Sequence, residues 1–497
     1  MRVWRSPHSF FATLGVTLAV VFLGGMVGCA PDSGGIGSVV RAISGDRYSL
    51  DAEGQRSIDR FSTEFLRLSS DDDDDAVDHF VDVYKRVRTQ YVSAVEDPKL
   101  IDSAIAGMMK AAPEPDSVRS ELLVEAALDR MLEDLDPHSI YMTPQEYRES
   151  TVATRGEFGG LGIEITGDPR GVKVVSPIEG TPADRAGVES GDLIVAVDGQ
   201  SIEGASLINA VRMMRGRPNT KVVLTIEREG VSPLELTLVR DIIVVRAVRW
   251  RAEGTVGYVR VTRFTEKVED GIQDALAALR DEIGPSMSGL VLDLRSNPGG
   301  LLDQSAILAD AFLNEGNIVS VRGRDNRRDR AYRASRGDLA NGLPMVVLIN
   351  GGSASASEIV AGALQDNKRA IIMGRRSFGK GSVQTIMPLP QEGAIKLTTQ
   401  LYYVPTGRTI QGYGIEPDVI LDRVEDPEVE QGQREADLPG AISGVGSGDG
   451  RVHRKMAEDK CPVIGEPEDK MLGCALRMLQ AGSVDRFMAE FPRASGT

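Results

Sequence analysis

Residues 345–358, MVVLINGGSASASE, decide the fold, because they lead from a buried strand through a run of tiny residues into a helix. The segment MVVLI (345–349) is short, apolar and β-branched, which predicts a buried strand. Apolar residues then recur at helical spacing from Ile359 to Leu364. A small-residue turn at this junction exposes a serine to the oriented N–H groups and positive dipole end of the helix.

A second motif, SFGKGSVQ (377–384), follows the next strand-like run and places Lys380 between two glycines. A serine nucleophile needs a base, and no histidine occurs between Ser139 and Val452. Neutralising a lysine at pH 7 costs about 4.6 kcal/mol in water. Burial can lower a lysine pKa by roughly 3–5 units, which is enough. Gln384 can hold the amine without adding charge, so we expect a serine nucleophile with a lysine base.

Length and charge exclude several classes of function. The 497 residues predict more than one domain. A net charge of −16 argues against general nucleic-acid binding, which depends on phosphate neutralisation. The chain has four histidines, and no ligand cluster has zinc spacing. We therefore predict no metal site and no cofactor.

The N-terminus predicts export. Arg2 and Arg5 precede an apolar stretch, 10–27, and small residues then lead to Cys29. This pattern predicts a signal peptide over residues 1–28. Its end resembles a bacterial lipobox, so that Cys29 becomes the lipidated first residue. The alternative is an uncleaved membrane anchor, and both interpretations place the protein in an oxidising, extracytoplasmic space.

Two further segments are expected to lie outside the folded domains. Residues 29–75 are rich in Gly, Ser and Asp and end in five aspartates, which predicts a solvated, extended tether. Residues 426–497 are expected to form a linker and a C-terminal tail. With Cys29 lipidated, Cys461 and Cys474 are left to form a disulfide that closes a small loop.

Residues 76–150 predict a helical region, in which apolar side chains recur on one face of the first segment, from Phe80 to Tyr91. The region ends in LDPHS (135–139), typical of a helix stop followed by a turn. His138 beside Ser139 leaves open a histidine-dependent serine hydrolase, although a capping role is the simpler interpretation.

Residues 151–240 predict a β-rich unit, with a glycine-rich turn followed by alternating strands. This unit resembles a circularly permuted PDZ domain, a module that captures peptide C-termini. The resemblance implies that the carboxylate-binding loop comprises Gly160, Leu161, Gly162 and Ile163. It also implies that Val211 lines the side-chain pocket. The alternative is a small β domain without a ligand.

Residues 241–425 predict an α/β domain built on two strand–loop–helix units. The first contains DLRSNPGG (293–300), and the second is the stretch quoted at the outset. Binding sites in such folds lie beyond the carboxyl ends of the strands, where both loops fall.

Residues 80–420 together resemble the carboxy-terminal processing (tail-specific) proteases. The matching motifs, in order, are LDPHS (135–139), the PDZ-like unit, DLRSNPGG (293–300), GSASASE (352–358), FGKG (378–381) and PTGR (405–408). The resemblance implies a multidomain α+β protein with an N-terminal helical region, a PDZ domain and a crotonase/Clp-like α/β serine peptidase core. Extra helical sequence between Met109 and Leu128 departs from the family pattern.

The resemblance also implies the roles of the site residues. The nucleophile is the middle serine of SASAS, Ser355, and its base lies 25 positions later at Lys380, with Gln384 orienting the amine. Backbone N–H groups of Gly300 and Ala356 form the oxyanion hole. Ser353 and Ser357 are then structural.

From these features we expect an envelope serine endopeptidase in the bacterial periplasm, anchored to a membrane by lipid. Its expected partners are protein substrates with unstructured C-termini, an adaptor protein and further copies of the chain. The alternative from another class is a PDZ scaffold with a catalytically silent peptidase-like domain.

Overall fold

The computed structural model describes residues 50–491, with gaps at 72, 179, 206, 229, 327–328, 391–392, 423–432, 445–449 and 466–467. The predicted signal peptide and Cys29 lie outside the described residues. Within the described ranges, no helix has both the length and the apolar character needed to cross a membrane.

Helices pack together at the start of the described chain, as predicted for residues 76–150. Their bounds are α1 Ala52–Leu68, α2 Asp74–Gln90, α3 Asp97–Ala111 and α4 Ser120–Glu133. One apolar cluster joins them, and the rings of Phe61 on α1 and Phe80 on α2 stack with centroids 3.6 Å apart.

Helix α1 contradicts the prediction of an extended tether up to residue 75. Ile58, Phe61, Phe65 and Leu68 follow helical spacing, and all four are buried. Asp51 caps the helix by accepting a hydrogen bond from the Gly54 N–H at 2.9 Å. Acidic and small residues dominate the composition of residues 29–75, so composition alone did not indicate the helically spaced apolar residues.

The described aspartates that follow α1 are also part of the fold. Asp71 Oδ1 accepts from the backbone N–H of Ser120 at 2.7 Å and from its hydroxyl at 2.6 Å. Asp73 caps helix α2 by accepting from the Asp75 N–H. These residues are exposed, and their carboxylates accept hydrogen bonds from helix N-termini.

The next elements form the PDZ-like unit and its connection to the helical region. Their bounds are β1 Ile140–Met142, α5 Pro144–Arg155, β2 Glu157–Gly160, β3 Ile163–Asp168, β4 Gly171–Pro177, α6 Pro182–Arg185, β5 Leu193–Val197, β6 Gln200–Ser201, α7 Leu207–Met214, β7 Lys221–Glu227, β8 Leu234–Val239 and β9 Asp241–Val244. The sheet order is β3-β4-β5-β7-β8, with β6 beside β5 and a separate β2–β9 pair. Strand β3 therefore lies at a sheet edge.

The α/β core follows, with a sheet in the order β10-β11-β12-β15-β16-β19-β20. The bounds are β10 Val248–Glu253, β11 Val256–Val261, α8 Val268–Ile283, β12 Gly289–Asp293, α9 Leu302–Asp310, β13 Asn317–Gly323, β14 Arg330–Arg333, β15 Met345–Ile349, α10 Ala356–Asp366, β16 Ile371–Gly374, β17 Ser382–Pro388, β18 Ala394–Tyr403, β19 Val419–Asp422, β20 Arg454–Ala457, α11 Lys470–Ala481 and α12 Val484–Ala489. From β11 to β20 neighbouring strands are parallel.

Alternate residues of the central strands face two different apolar layers. Leu290 and Leu292 of β12 belong to the cluster that includes helices α8, α9 and α10. Val291 of β12 and Val346 of β15 belong to the cluster that includes α11 and α12. Strands β12 and β15 are therefore buried on both faces, as their unbroken apolar sequences predict.

The C-terminal residues correct the expectation of a linker and a peripheral tail. Strand β20 pairs with β19 in the main sheet, and α11 covers one of its faces. Cys461 and Cys474 form the expected disulfide, which joins the approach to α11 with the helix itself. The apolar side chains of α11 are needed because they bury the second face of β12 and β15.

A second sheet joins the helical region to the core, in the order β1-β18-β13-β14 with β17 beside β18. Strand β1 pairs antiparallel with β18, so that Ile140 lies opposite Lys396. Strand β17, which follows the predicted base Lys380, pairs with β18 on its other edge. The LDPHS motif is thereby held beside the strand that supports the candidate site.

Replacing Phe61 by alanine tests whether α1 is a packed helix. Because Phe61 is fully buried against Phe80, we expect the variant to lose about 3–5 kcal/mol of unfolding free energy. Urea unfolding, with hydrogen exchange of the α1 amides, measures the loss. The control is Leu66→Ala on the same helix, where the side chain is 59% exposed. Equal stability of the two variants would contradict the packing of α1.

Candidate active site

Two loops meet at the carboxyl ends of the neighbouring strands β12 and β15. The first loop comprises residues 294–301, and the second, the serine turn, comprises residues 350–355. Asn297, fully buried in the first loop, links them. Its carbonyl oxygen accepts from the Ala354 N–H at 3.0 Å and from the Ser357 hydroxyl at 2.9 Å. Its side-chain amide donates to the Val261 carbonyl at 2.8 Å. Asn297 thus fixes the serine turn relative to the first loop, a role that sequence reasoning did not assign.

Ser355 occupies the turn between β15 and α10 in a strained backbone conformation, with φ 55° and ψ −111°. A non-glycine residue with positive φ costs of order 1–3 kcal/mol and persists only where its surroundings enforce it. Ser355 lies next to the first residue of α10 and is 8% exposed. The turn therefore presents its side chain at a helix N-terminus, as predicted.

The two flanking serines have structural contacts. The Ser353 hydroxyl donates to the Leu294 carbonyl at 2.8 Å, and the Ser357 hydroxyl donates to that of Asn297. Both are fully buried. Each hydroxyl fastens the serine turn to the first loop, which leaves Ser355 as the candidate nucleophile.

Glu358 is a central residue of the site to which sequence reasoning gave no role. Its side chain is fully buried, and among the described residues four donors reach its carboxylate. Oε1 accepts from the Ser377 hydroxyl at 2.6 Å and from the Gly379 N–H at 2.7 Å. Oε2 accepts from the N–H groups of Ser355 at 2.7 Å and of Lys380 at 2.9 Å. One carboxylate oxygen thus joins the backbones of the predicted nucleophile and base.

The sequence did contain a signal for Glu358. Ser355 and Glu358 have the S-x-x-E spacing of a capping box, in which the glutamate reaches back to the backbone of the capping serine. Burial raises the pKa of Glu358 to about 7, and its four hydrogen-bond donors oppose the rise. The carboxyl group therefore titrates close to neutrality.

Seven of the eight backbone polar groups of the loop 378–381 have a hydrogen-bond partner among the described residues. These bonds are Phe378 N–H to Ser353 O, Glu435 N–H to Phe378 O, Gly379 and Lys380 N–H to Glu358, Gly412 N–H to Gly379 O, Gly381 N–H to Gln411 Oε1, and Tyr402 N–H to Gly381 O, with the Lys380 carbonyl alone unassigned among the described residues. The loop carrying Lys380 is therefore rigid.

The surroundings of the Lys380 amine favour its neutral form. Burial, assisted by the nearby positive charge of Lys396, lowers the pKa of Lys380 to about 8. Deprotonating the amine at pH 7 then costs only about 1.4 kcal/mol, whereas deprotonating a lysine in water costs about 4.6 kcal/mol. Roughly one lysine in ten is neutral at that pH, which suffices for general-base catalysis.

The side chains of Ser355, Lys380 and Gln384 are not hydrogen-bonded to one another. Burial raises the pKa of Tyr402 to about 12, and the neighbouring Ser355 side chain opposes this rise. Among the described residues, no hydrogen bond links the Ser355 hydroxyl to the Lys380 amine. The Gln384 amide donates to the hydroxyls of Ser382 at 3.0 Å and Thr398 at 3.2 Å, leaving its carbonyl oxygen to accept from the amine.

The loop that carries the predicted oxyanion donor Gly300 packs against the serine turn, where the other predicted donor, Ala356, lies. Phe264 N–H donates to the Gly299 carbonyl, and Leu301 N–H donates to that of Phe264. In this bridge the N–H of Gly300 points to the opposite side, as alternation along an extended chain requires. A Cβ on Gly299 would lie 2.9 Å from Ser355 Cβ and 3.0 Å from the nitrogen of Ala356. The two loops are therefore in direct contact beside Ser355.

The N–H of Ala356 belongs to the first turn of α10, where backbone N–H groups have no partner within the helix. Gly300 has φ 145°, and a Cβ there would lie 2.1 Å from the Phe264 carbonyl oxygen. Only glycine fits this position. The two loops can thus direct two N–H groups at one oxyanion.

The predicted peptide-binding residues lie on or near strand β3, which forms one edge of the PDZ-like sheet. Leu161 and Gly162 connect β2 to the edge strand β3, and Gly162 has φ 74°. The Gly162 carbonyl accepts from the Ile178 N–H at 2.9 Å. Val211 on α7 packs against the same apolar cluster as Leu161 and Ile163. An edge strand beside a helix is the arrangement that accepts an added peptide strand.

A histidine-dependent hydrolase needs a hydrogen bond between the histidine and the nucleophilic serine, but His138 has a different partner. Its Nε2 pairs with Glu435 Oε2 at 2.8 Å. The neighbouring Ser139 hydroxyl donates to Asp136 Oδ2 at 2.6 Å, and Asp136 Oδ1 accepts from the backbone N–H groups of both residues. Asp136 therefore organises the turn after α4, and the hydroxyl next to His138 is already engaged.

Comparisons with known proteins agree with this architecture. The model of Peptidase family S41 matches residues 255–421, and a PDZ domain model matches residues 173–228. A carboxy-terminal-processing protease of Bartonella bacilliformis is 50% identical over 346 residues, which cover 69% of this chain and 74% of that protein. A probable CtpA-like serine protease of Staphylococcus aureus is 36% identical over 61% of each chain.

Among solved structures, a photosystem II D1 C-terminal processing protease matches with 30% identity and a TM-score of 0.44, over 71% of this chain and 94% of that one. The fold and site define a serine-type peptidase that carries a PDZ domain. The chain belongs to the carboxy-terminal-processing proteases of Peptidase family S41.

Replacing Glu358 by glutamine tests its role in holding the site. An amide cannot accept from four donors, so we expect the backbones of Ser355 and Lys380 to shift. Labelling of Ser355 by a fluorophosphonate probe should slow by about 100-fold, because small misplacements have effects of that size. The control Ser377→Ala removes one donor and leaves the bonds to Ser355 and Lys380, so its labelling should slow by less than about 10-fold. Equal labelling of Glu358→Gln and wild type would contradict the role.

Proposed function

We propose that this protease cleaves peptide bonds with Ser355 as nucleophile and Lys380 as general base. The observation that carries the proposal is the bond of one Glu358 oxygen to the backbone N–H groups of both residues. It holds a strained serine at a helix N-terminus near a buried lysine whose pKa is lowered to about 8. Both features are what a serine and a lysine need to react near neutral pH.

The reaction begins when the Ser355 side chain turns towards Lys380. The neutral amine takes the hydroxyl proton as Oγ attacks the scissile carbonyl carbon. The resulting oxyanion accepts hydrogen bonds from the N–H groups of Gly300 and Ala356. Lys380 then returns the proton to the leaving amine, which breaks the C–N bond and leaves an acyl-enzyme.

Deacylation reuses the same base. A water molecule gives a proton to Lys380 and attacks the ester carbonyl. As the second tetrahedral intermediate collapses, the ester C–O bond breaks and Lys380 returns the proton to Ser355 Oγ, which releases the new C-terminus and regenerates the serine hydroxyl. Gln384 orients the amine through its carbonyl oxygen, since its amide hydrogens are bonded to Ser382 and Thr398.

Substrates are selected at the PDZ domain through their C-termini. The loop Gly160–Ile163 receives the terminal carboxylate, and the last residues of the substrate pair with strand β3, with Val211 beside the side-chain pocket. The edge position of β3 supports this mode. The chain then extends from the PDZ domain towards Ser355.

The protease acts on the envelope side of a bacterial membrane, tethered through a lipid on Cys29. The sequence of residues 1–29 and the Cys461–Cys474 disulfide support this location, because disulfides persist in oxidising compartments. An adaptor protein and self-association belong to the same proposal.

The pH dependence of activity tests the base. Since only the neutral amine accepts a proton, kcat/KM should rise tenfold per pH unit below about 8 and level off above it. Lys380→Ala should lose at least about 1000-fold in kcat.

A fluorophosphonate probe should label wild type and not Ser355→Ala, whereas a silent scaffold would not be labelled at all.

Lys380→Met separates loss of the base from loss of the fold. The pKa of Lys380 is lower in the folded chain than in the unfolded one, so protonation destabilises the fold. The effect grows as the pH falls from about 10.4 to about 8 and is complete below that. We expect this variant to be inactive yet to have a higher free energy of unfolding at pH 7. Retained peptidase activity in either Lys380 variant would contradict the role of Lys380 as the base.

Peptides that differ only at their C-terminus test the PDZ mode. Replacing a free carboxylate by an amide removes charge-assisted hydrogen bonds worth roughly 1.5–3 kcal/mol. We expect kcat/KM to fall by about 10- to 100-fold, with unchanged fluorophosphonate labelling of Ser355. Val211→Asp should weaken cleavage of both peptides, whereas Val231→Asp, 50% exposed, is the control. Equal cleavage of acid and amide would refute capture of the C-terminus.

A further inference from the structure

A segment beyond the match to the peptidase family model contacts the loop of Lys380. The family match ends at residue 421, and the segment 433–444 follows it. Glu435 begins a short 3-10 turn in this segment, and its side chain is 1% exposed. A buried carboxylate is costly unless it is paired and hydrogen-bonded, so its partners indicate its role.

Glu435 holds both ends of the loop 378–381. At one end its backbone N–H donates to the Phe378 carbonyl at 3.2 Å. At the other end its Oε1 accepts from the Gln411 side-chain amide at 2.8 Å, and Gln411 Oε1 accepts from the Gly381 N–H at 2.9 Å. Lys380 lies between these two attachments.

The same carboxylate reaches the N-terminal region of the chain. Its Oε2 pairs with Nε2 of His138 at 2.8 Å, across a separation of 297 residues. His138 belongs to the LDPHS turn, whose Asp136 also bonds the Thr398 hydroxyl beside Gln384. Glu435 therefore connects three separate parts of the sequence at the candidate base.

Charge gives Glu435 a second effect on Lys380. Burial alone would raise the pKa of Glu435, but hydrogen bonds from His138 and Gln411 outweigh burial and hold this pKa below its usual range. The resulting anion opposes the effect of burial on the Lys380 amine. The other charged groups acting on that amine are Lys396 on β18, Asp136 after α4, and Glu358 on α10.

We propose that Glu435 is a positioning residue for the catalytic base, which holds the Lys380 loop at both ends and supplies a negative charge near its amine. This inference rests on the proposed role of Lys380. It extends the functional unit of the protease to a segment outside the matched peptidase domain.

Glu435→Gln in the full-length chain isolates the charge. A glutamine can still accept from Gln411 through its oxygen and donate to a neutral His138 through its nitrogen. Without the anion, the pKa of Lys380 falls, so the acid limb of kcat/KM should move to lower pH by about half a unit or more. The kcat on the plateau should stay within about 3-fold of wild type.

Asp437→Asn is the matched control. Asp437 lies two residues away in the same turn and is exposed, so this change alters the net charge equally without touching His138 or Gln411. Its pH profile should coincide with that of wild type. A shift of the same size in Asp437→Asn would assign the effect to net charge and overturn the proposal.

Glu435→Ala removes the side-chain bonds as well as the charge. We expect kcat to fall about 10-fold or more with KM for the peptide nearly unchanged, because the loop moves while the PDZ domain does not. Glu435→Gln should restore most of this loss. If Glu435→Ala fails to fold, the pH profile of Glu435→Gln still tests whether Glu435 acts on Lys380.

The outcomes separate this proposal from the mechanism on which it rests. Coincident profiles of Glu435→Gln and wild type, together with inactivity of Lys380→Ala, would overturn the role of Glu435 and leave Lys380 as base. Full activity of Lys380→Ala would overturn both.

Discussion

The buried carboxylate of Glu358 is the constraint on which the candidate site depends. Its two oxygens accept from four donors that lie on two different chain segments, the start of α10 and the loop 377–380. A buried carboxylate without these donors would be prohibitively costly, so the site has to assemble around it as a unit. Because Ser355 and Lys380 donate to the same oxygen, their backbones cannot separate without breaking a charge-assisted hydrogen bond.

The surrounding fold serves this assembly through neighbouring parallel strands. Strands β12 and β15 end side by side, and Asn297 and Ser357 bind their loops together. Buried apolar layers on both faces of the sheet keep the strands in register. The strain at Ser355 is therefore balanced by packing that extends through the whole core.

Sequence reasoning predicted the parts of the site that are local in the chain. The strand–loop–helix units around Asn297 and Ser355 follow from apolar runs interrupted by tiny residues, and the structure contains both. Helix α1 was missed because aspartates and serines obscured a regular spacing of Ile58, Phe61, Phe65 and Leu68. The role of Glu435 could not be predicted, since its partner His138 is 297 residues away and only the folded chain brings them together.

The strand order has a consequence for the timing of synthesis. Strand β1 has to wait for β18, about 250 residues later in the chain, before it can pair, and the central sheet is completed by β20 and covered by α11. Contacts so distant in sequence form late and slowly. A nascent chain that already contains Ser355 and Lys380 still lacks Glu435, β20 and α11. The topology therefore leaves the central sheet without its last strand, and one of its apolar faces uncovered, until β20 and α11 have been made.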